Sequence, residues 1–168
     1  MGLTEQQQLM VKTWEQHGYA EFGLRDADAA IATMSPHPYI LCVPLGQLLY
    51  GRDEVYSFYA NDFLCKMPSF VEMEPMSRVI GENHIVDEFL FRFVHDVEMP
   101  WKIPGVAPTG RRVEVVMNVQ VGFDGDKIAY EHLMWDHASV LTQIGLIDLP
   151  AAAIGGVSPD NLRKVLKK

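Results

Sequence analysis

The sequence predicts an α+β domain, a cone-shaped barrel in which short N-terminal helices pack on a strongly curved antiparallel sheet. Two observations predict it. Helix-period segments stop near Met67-Pro68, and four long segments rich in β-branched and aromatic residues then run from Ser69 to Asp136. Turn chemistry at Gly81-Glu82-Asn83 and Asp124-Gly125-Asp126 joins these segments as hairpins, so helices and sheet are segregated rather than alternating as βαβ units. Strands of about ten residues twist and coil, which makes one face concave and leaves room for a pocket under the helices.

Each element has a local cause. Thr4 followed by Gln7 is a capping box, and Leu9, Met10, Thr13, Trp14 and His17 recur at helical spacing toward Gly18. A second, shorter helix over residues 26–34 starts at Asp26 or Asp28 and ends before Ser35-Pro36, because the residue ahead of a proline is driven out of helical backbone. Residues 39–45 are compatible with a strand. After Gly51-Arg52-Asp53, the apolar stripe of Val55, Phe58, Tyr59 and Phe63 marks a third helix. The four strands are expected over residues 69–80, 84–97, 112–123 and 127–136. The Pro/Gly-rich stretch 101–112 either overhangs a cavity mouth or simply connects two strands. Residues 138–147 read as a short helix, a lid or pocket wall. Residues 1–150 are expected to form one domain and 151–168 a C-terminal extension, with a loop at Gly155-Gly156 and a last helix whose Arg163, Lys164, Lys167 and Lys168 suit its C-terminal end.

Composition excludes several classes. The 14 basic against 22 acidic residues give a charge of −8, which argues against nucleic acid as a partner. Cys42 and Cys65 each lie in an apolar run and read as buried thiols of a reducing compartment. The Gln- and Glu-rich start has no secretory pattern, and no stretch approaches the roughly 18 apolar residues of a membrane span, so the cytoplasm is the expected location and no membrane partner is expected. No GxSxG elbow, phosphate-binding glycine loop or dinucleotide fingerprint occurs.

The densest chemistry is Glu131-His132-Leu133-Met134-Trp135-Asp136, at the end of the last strand. Alternation puts Tyr130, His132, Met134 and Asp136 on one face and Glu131, Leu133 and Trp135 on the other. An Asp and a His on one wall of an apolar pocket are the minimum for acid/base work; the other reading is that Asp136 caps the following helix and His132 is an ordinary core or surface histidine. In the strand 84–97, Ile85, Phe89, Phe91 and Phe93 form an inward row with Asp87 and His95 among them, opposite His84, Glu88, Arg92 and Asp96. That row is either a pocket wall or plain helix–sheet core. Asp136 and His132 are thus the candidate catalytic pair, and Tyr130, His95, Trp135, Glu88, His37 and Tyr59 the candidate substrate-binding groups. His37, His84, His95 and His132 show no HxH or HExxH spacing, and neither a metal nor a cofactor is expected.

One ordered set of residues is shared with a known family. Gly105-Val106-Ala107-Pro108-Thr109-Gly110-Arg111, Asp124-Gly125-Asp126-Lys127-Ile128, Glu131-His132, Trp135-Asp136 and Gln143-Ile144-Gly145-Leu146, with Gly51-Arg52-Asp53 and Phe58-Tyr59-Ala60 upstream, resemble the SnoaL-like branch of the nuclear transport factor 2-like superfamily. The resemblance covers about residues 26–146. It implies an α+β cone dimerised through its sheet. It further implies, from the polyketide cyclases of that branch, an acid/base Asp near the last strand's end, which falls on Asp136, with His132 as its helper. The basic C-terminal extension and the His-rich strands depart from the cyclases.

The expected function is a cofactor-independent lyase, isomerase or cyclase acting by acid/base catalysis on a small apolar carbonyl compound, working as a homodimer. The alternatives are a non-catalytic binding or accessory module that only holds an apolar ligand, and a structural dimer whose cavity is filled by Phe and Met.

Overall fold

Thr4 and Gln7 close the expected capping box, each side chain bonded to the other's backbone N–H, and start helix α1 (Glu5–Gly18). The helix runs on as a wider π-helical turn over Tyr19–Leu24 and stops at Arg25, whose backbone is left-handed at φ 55°. This computed structural model describes residues 2–150 and 159–166. Asp26 caps α2 (Ala27–Ala32) by accepting from the Asp28 and Ala29 amides. Strand β1 (Met34–Cys42) follows at once, β2 (Gln47–Tyr50) folds back on it, and α3 (Arg52–Phe58) continues through a second π-helical turn over Tyr59–Phe63. The remaining strands are β3 (Val71–Ile80), β4 (His84–Val94), β5 (Arg112–Asp124) and β6 (Lys127–Trp135), and α4 (His137–Gln143) succeeds β6 directly.

The α+β class is as the sequence predicts, with two differences in the sheet. Its order is β2-β1-β6-β5-β4-β3, and β1 runs parallel to β6, so the sheet is mixed rather than purely antiparallel. Its edges β2 and β3 do not pair with each other, so it is not a closed barrel. Ser35-Pro36 does not delay β1, because a proline that follows an extended residue is compatible with strand backbone and β1 bulges between Met34 and Tyr39.

Burial follows the pleat. Along β5, Val113, Val115, Met117, Val119 and Val121 face the helices and are nearly inaccessible, while the alternate residues are half-exposed. Each such side chain stabilises the fold by about 1.5–3 kcal/mol on transfer from water. They meet Met10, Ala30, Val55, Phe58, Phe63, Phe91 and Phe93 in one core. On the opposite face Tyr130 lies over Gly122, where a Cβ would come within 2.0 Å of its ring, and Tyr130 stacks on Tyr39 with centroids 5.2 Å apart.

Helix α5 (Pro159–Leu166) returns to the outer face, where Arg163 pairs with Glu74 at 3.2 Å and Glu114 at 3.1 Å beside Arg92, and Leu162 is buried. The expected loop at Gly155-Gly156 and the terminal Lys167 and Lys168 lie outside the described residues. Both cysteines are free; Cys42 is buried but Cys65 is exposed, contrary to expectation, because it sits on the outer side of the turn that ends the α3 segment. Among the described residues no helix is long and apolar enough to cross a membrane.

Candidate functional site

A cavity of about 440 Å³ lies between the helices and the inner face of the sheet, a volume suited to a small organic molecule. Its wall is mainly apolar, with Ile40, Phe58, Phe63, Phe91 and Val119 prominent. The exposed wall residues Glu15, Met73, Ser77 and Arg78 place its mouth between α1 and the β3–β4 hairpin. Arg78 is held at this rim by two bonds to Asp87 of 2.6 and 2.7 Å, and the Trp14 indole donates to the same carboxylate at 2.7 Å.

Glu21, Tyr59 and Glu131 line the cavity, and the fully buried His17 joins them. Their protonation follows from hydrogen-bond direction. The Thr33 hydroxyl donates to the Ala30 carbonyl at 2.7 Å, so at 2.6 Å it accepts from His17 Nδ1–H. Tyr59 donates to Glu131 Oε1 at 3.3 Å, so its oxygen accepts from His17 Nε2–H at 3.0 Å, and the same nitrogen stands 3.1 Å from Glu21 Oε1 and 3.2 Å from Glu131 Oε1. Both ring nitrogens are therefore donors and His17 is an imidazolium between two carboxyl groups. Burial alone would lower its pKa, but Glu21 and Glu131 outweigh burial and push it up to about 10. Burial drives Glu21 upward, toward its acid form, against the pull of His17. Burial and the two neighbouring carboxylates likewise raise Tyr59, which stays a phenol.

A second polar group enters from the long β4–β5 connection. The amides of Lys102 and Ile103 both bond to the Met99 carbonyl, at 3.0 and 2.7 Å, and this tight turn drives Trp101 and Lys102 into the cavity wall. Lys102 is 0% exposed; its Nζ donates to Met117 Sδ at 3.0 Å and lies 3.8 Å from the Trp135 ring centroid and 5.1 Å from that of Phe91. Among the described residues no carboxylate pairs with it. A desolvated cation–π contact contributes about 2 kcal/mol, less than the several kcal/mol it costs to bury an ammonium. Burial accordingly pushes Lys102 well below its ordinary value, opposed by Cys42. Burial also raises Cys42, to about 11, so that group is a thiol.

The expected site residues are divided by the sheet. Tyr59, Trp135 and Glu88 line the cavity. His132 and Tyr130 do not; they stand on the outer face, where His132 Nε2 is 3.0 Å from the Tyr39 hydroxyl and Tyr130 accepts from Gln120 at 3.1 Å. The alternation along β6 is as expected, but its cavity side is the one that carries Glu131, Leu133 and Trp135. Asp136 is also outside the cavity wall, and its Oδ1 accepts from the Ser139 amide at 3.0 Å as the N-cap of α4. His95 is buried beyond the end of β4, with Nδ1 3.1 Å from Thr109 Oγ1, and burial lowers its pKa. His37 is exposed on β1.

His17, Glu21 and Lys102 carry no assigned chemistry at the sequence level. A signal for the first two exists: a histidine inside the apolar stripe of α1 with a glutamate one turn later. Together with Glu131 they bring one nitrogen and two carboxylate oxygens within 4.8 Å of one another, a donor set that a divalent cation could also use.

Neither a protein-family model nor a curated protein matches the chain. Solved structures do. A protein from Jannaschia sp. CCS1 described as a SnoaL-like polyketide cyclase superposes with a TM-score of 0.72 at 16% identity, over 88% of this chain and 99% of that one. A Catenulispora acidiphila protein with a ketosteroid isomerase-like fold, solved with trimethylamine, gives 0.62 at 16% identity, over 83% and 98%. A nuclear transport factor 2-like protein of unknown function from Burkholderia pseudomallei gives 0.63 at 17%, over 82% and 98%. The chain therefore has the nuclear transport factor 2-like fold in the form found in SnoaL-like proteins.

Proposed function

We propose that this protein is a cofactor-independent acid/base enzyme of the isomerase, lyase or cyclase type, acting on a small apolar carbonyl compound in the cavity. The observation that carries this reading is the buried set of Glu21, Glu131 and Tyr59 around the His17 imidazolium, in a mainly apolar wall. Two carboxyl groups held by one cation in a dry site share their protons unequally, which is what a paired acid and base require. Glu131 takes the proton next to the carbonyl, and the acid form of Glu21 hydrogen-bonds the oxygen as the enolate develops. His17 touches both and is a positioning residue. The polyketide cyclase description of one structural neighbour is in keeping with this class of chemistry without specifying a substrate. The half-buried outer face around Tyr39 and Tyr130 is the surface assigned here to a homodimer.

The test uses 2-tetralone, an apolar ketone with acidic α-hydrogens, in deuterated buffer. Proton NMR should show exchange of those hydrogens accelerated by the protein and lost in Glu131→Gln. Saturable binding of the ketone with exchange no faster than in buffer would leave a ligand-binding module instead.

A further inference from the structure

Lys102 has no part in the proton transfer just described, yet its position is costly. It is fully buried, it lines the same cavity as Glu21 and Glu131, and it faces a thioether and two aromatic rings in place of an anion. An aliphatic residue would fill this place without the desolvation cost, since a lysine is almost never fully buried without a partner. A lysine in an apolar pocket is instead the arrangement that yields a nucleophilic amine.

We propose that Lys102 forms a Schiff base with the apolar aldehydes and ketones that enter the cavity. The substrate class rests on the function proposed above; the covalent step does not use its proton-transfer pair to be detected. The Nζ lone pair attacks the carbonyl carbon, a C–N bond forms, and the π pair moves to oxygen, which takes a proton from a carboxyl group of the cavity or from water. Nζ then loses a proton, the hydroxyl leaves as water after protonation, and the C=N bond closes. The sum is an amine and a carbonyl giving an imine and one water, with no change of oxidation state. Protonated, that imine withdraws electrons from the adjacent carbon more strongly than the ketone did, which lowers the barrier to removing its hydrogen.

The surroundings suit this step. Burial among a thioether and two aromatic rings holds Lys102 toward the free amine. Cys42, within electrostatic range of Lys102, is held as a thiol and does not compete for the carbonyl. His137, whose pKa is lowered by burial, lies within electrostatic range of Lys102 and is a second group able to carry protons.

The experiment is reductive trapping of the wild-type protein with benzaldehyde and sodium cyanoborohydride at neutral pH, followed by peptide mapping. Lys102 should acquire the benzyl group on the order of tenfold or more faster than any other lysine, since each unit of lowered pKa raises the free-amine fraction about tenfold. Equal labelling of all lysines, or labelling that spares Lys102, would overturn the proposal. Deuterium exchange of 2-tetralone separates the two readings. Exchange at the wild-type rate in a folded Lys102→Met variant, with no trapping at Lys102 in the wild type, removes the Schiff base and keeps the acid/base pair. Trapping at Lys102 in a protein that exchanges no α-hydrogen keeps the Schiff base and removes the pair.

Discussion

The pairing of His17 with Glu131 can be measured apart from any substrate. Glu131→Gln preserves the volume of the side chain and removes its charge, leaving the His17 imidazolium with Glu21 alone; His17→Gln leaves two carboxyl groups together without a cation. His17 is 0% and Glu131 4% exposed at the side chain, so water screens little of the loss. Removing one partner of a buried pair costs about 3–5 kcal/mol, and independent losses would sum to about 6–10 kcal/mol in the double variant. In the double variant two neutral amides face each other, and Glu21, driven by burial toward its acid form, has no cation left to pair with. The combined loss should therefore fall short of the sum by about 2 kcal/mol or more. Urea unfolding followed by circular dichroism gives all four free energies, provided the slopes agree. Additivity within about 0.5 kcal/mol would show that the two residues do not act as an ion pair and would refute the protonation derived for His17.

Two further outcomes follow from the same geometry. Asp136→Asn should leave both stability and ketone exchange unchanged because Asn caps a helix as well as Asp, while Asp136→Ala should lose about 1 kcal/mol in urea unfolding without loss of exchange; loss of exchange in the Asn variant would return Asp136 to the chemistry. The native state binds extra protons at His17 and Glu21, both raised, so their contribution to stability falls as pH increases: that of His17 is complete below 6.5 and lost through about 10. Lys102, lowered, acts with the opposite sign, so thermal melts between pH 7 and 10 should show a steeper loss in Lys102→Met and a shallower one in His17→Gln than in the wild type; identical profiles in all three would contradict both shifts.

The architecture was legible wherever local chemistry decides it. Thr4 with Gln7, Asp26, and the turns at Gly81 and Gly125 set element ends through bonds within a few residues, and those ends appear as expected. The parallel pairing of β1 with β6 joins residues about ninety positions apart, as Tyr39 with Tyr130, and no local signal encodes it. The four-residue β2 is too short to show a period. In the site, alternation correctly separated His132 from Glu131 but could not tell inside from outside, because both faces of β6 are substantially covered: one by the helices, the other by Tyr39 and Gln120. Lys102 escaped notice because a connecting loop has no periodicity to reveal that it points inward.

The most direct test of the buried acid/base centre is the protonation of His17 itself, read from the nitrogen-15 shifts of its ring by NMR at pH 8. Two protonated ring nitrogens, with no titration near 6.5, are expected. A neutral ring that titrates near 6.5 would mean that the carboxyl groups of Glu21 and Glu131 do not hold a cation between them, and the proton-transfer site would no longer stand.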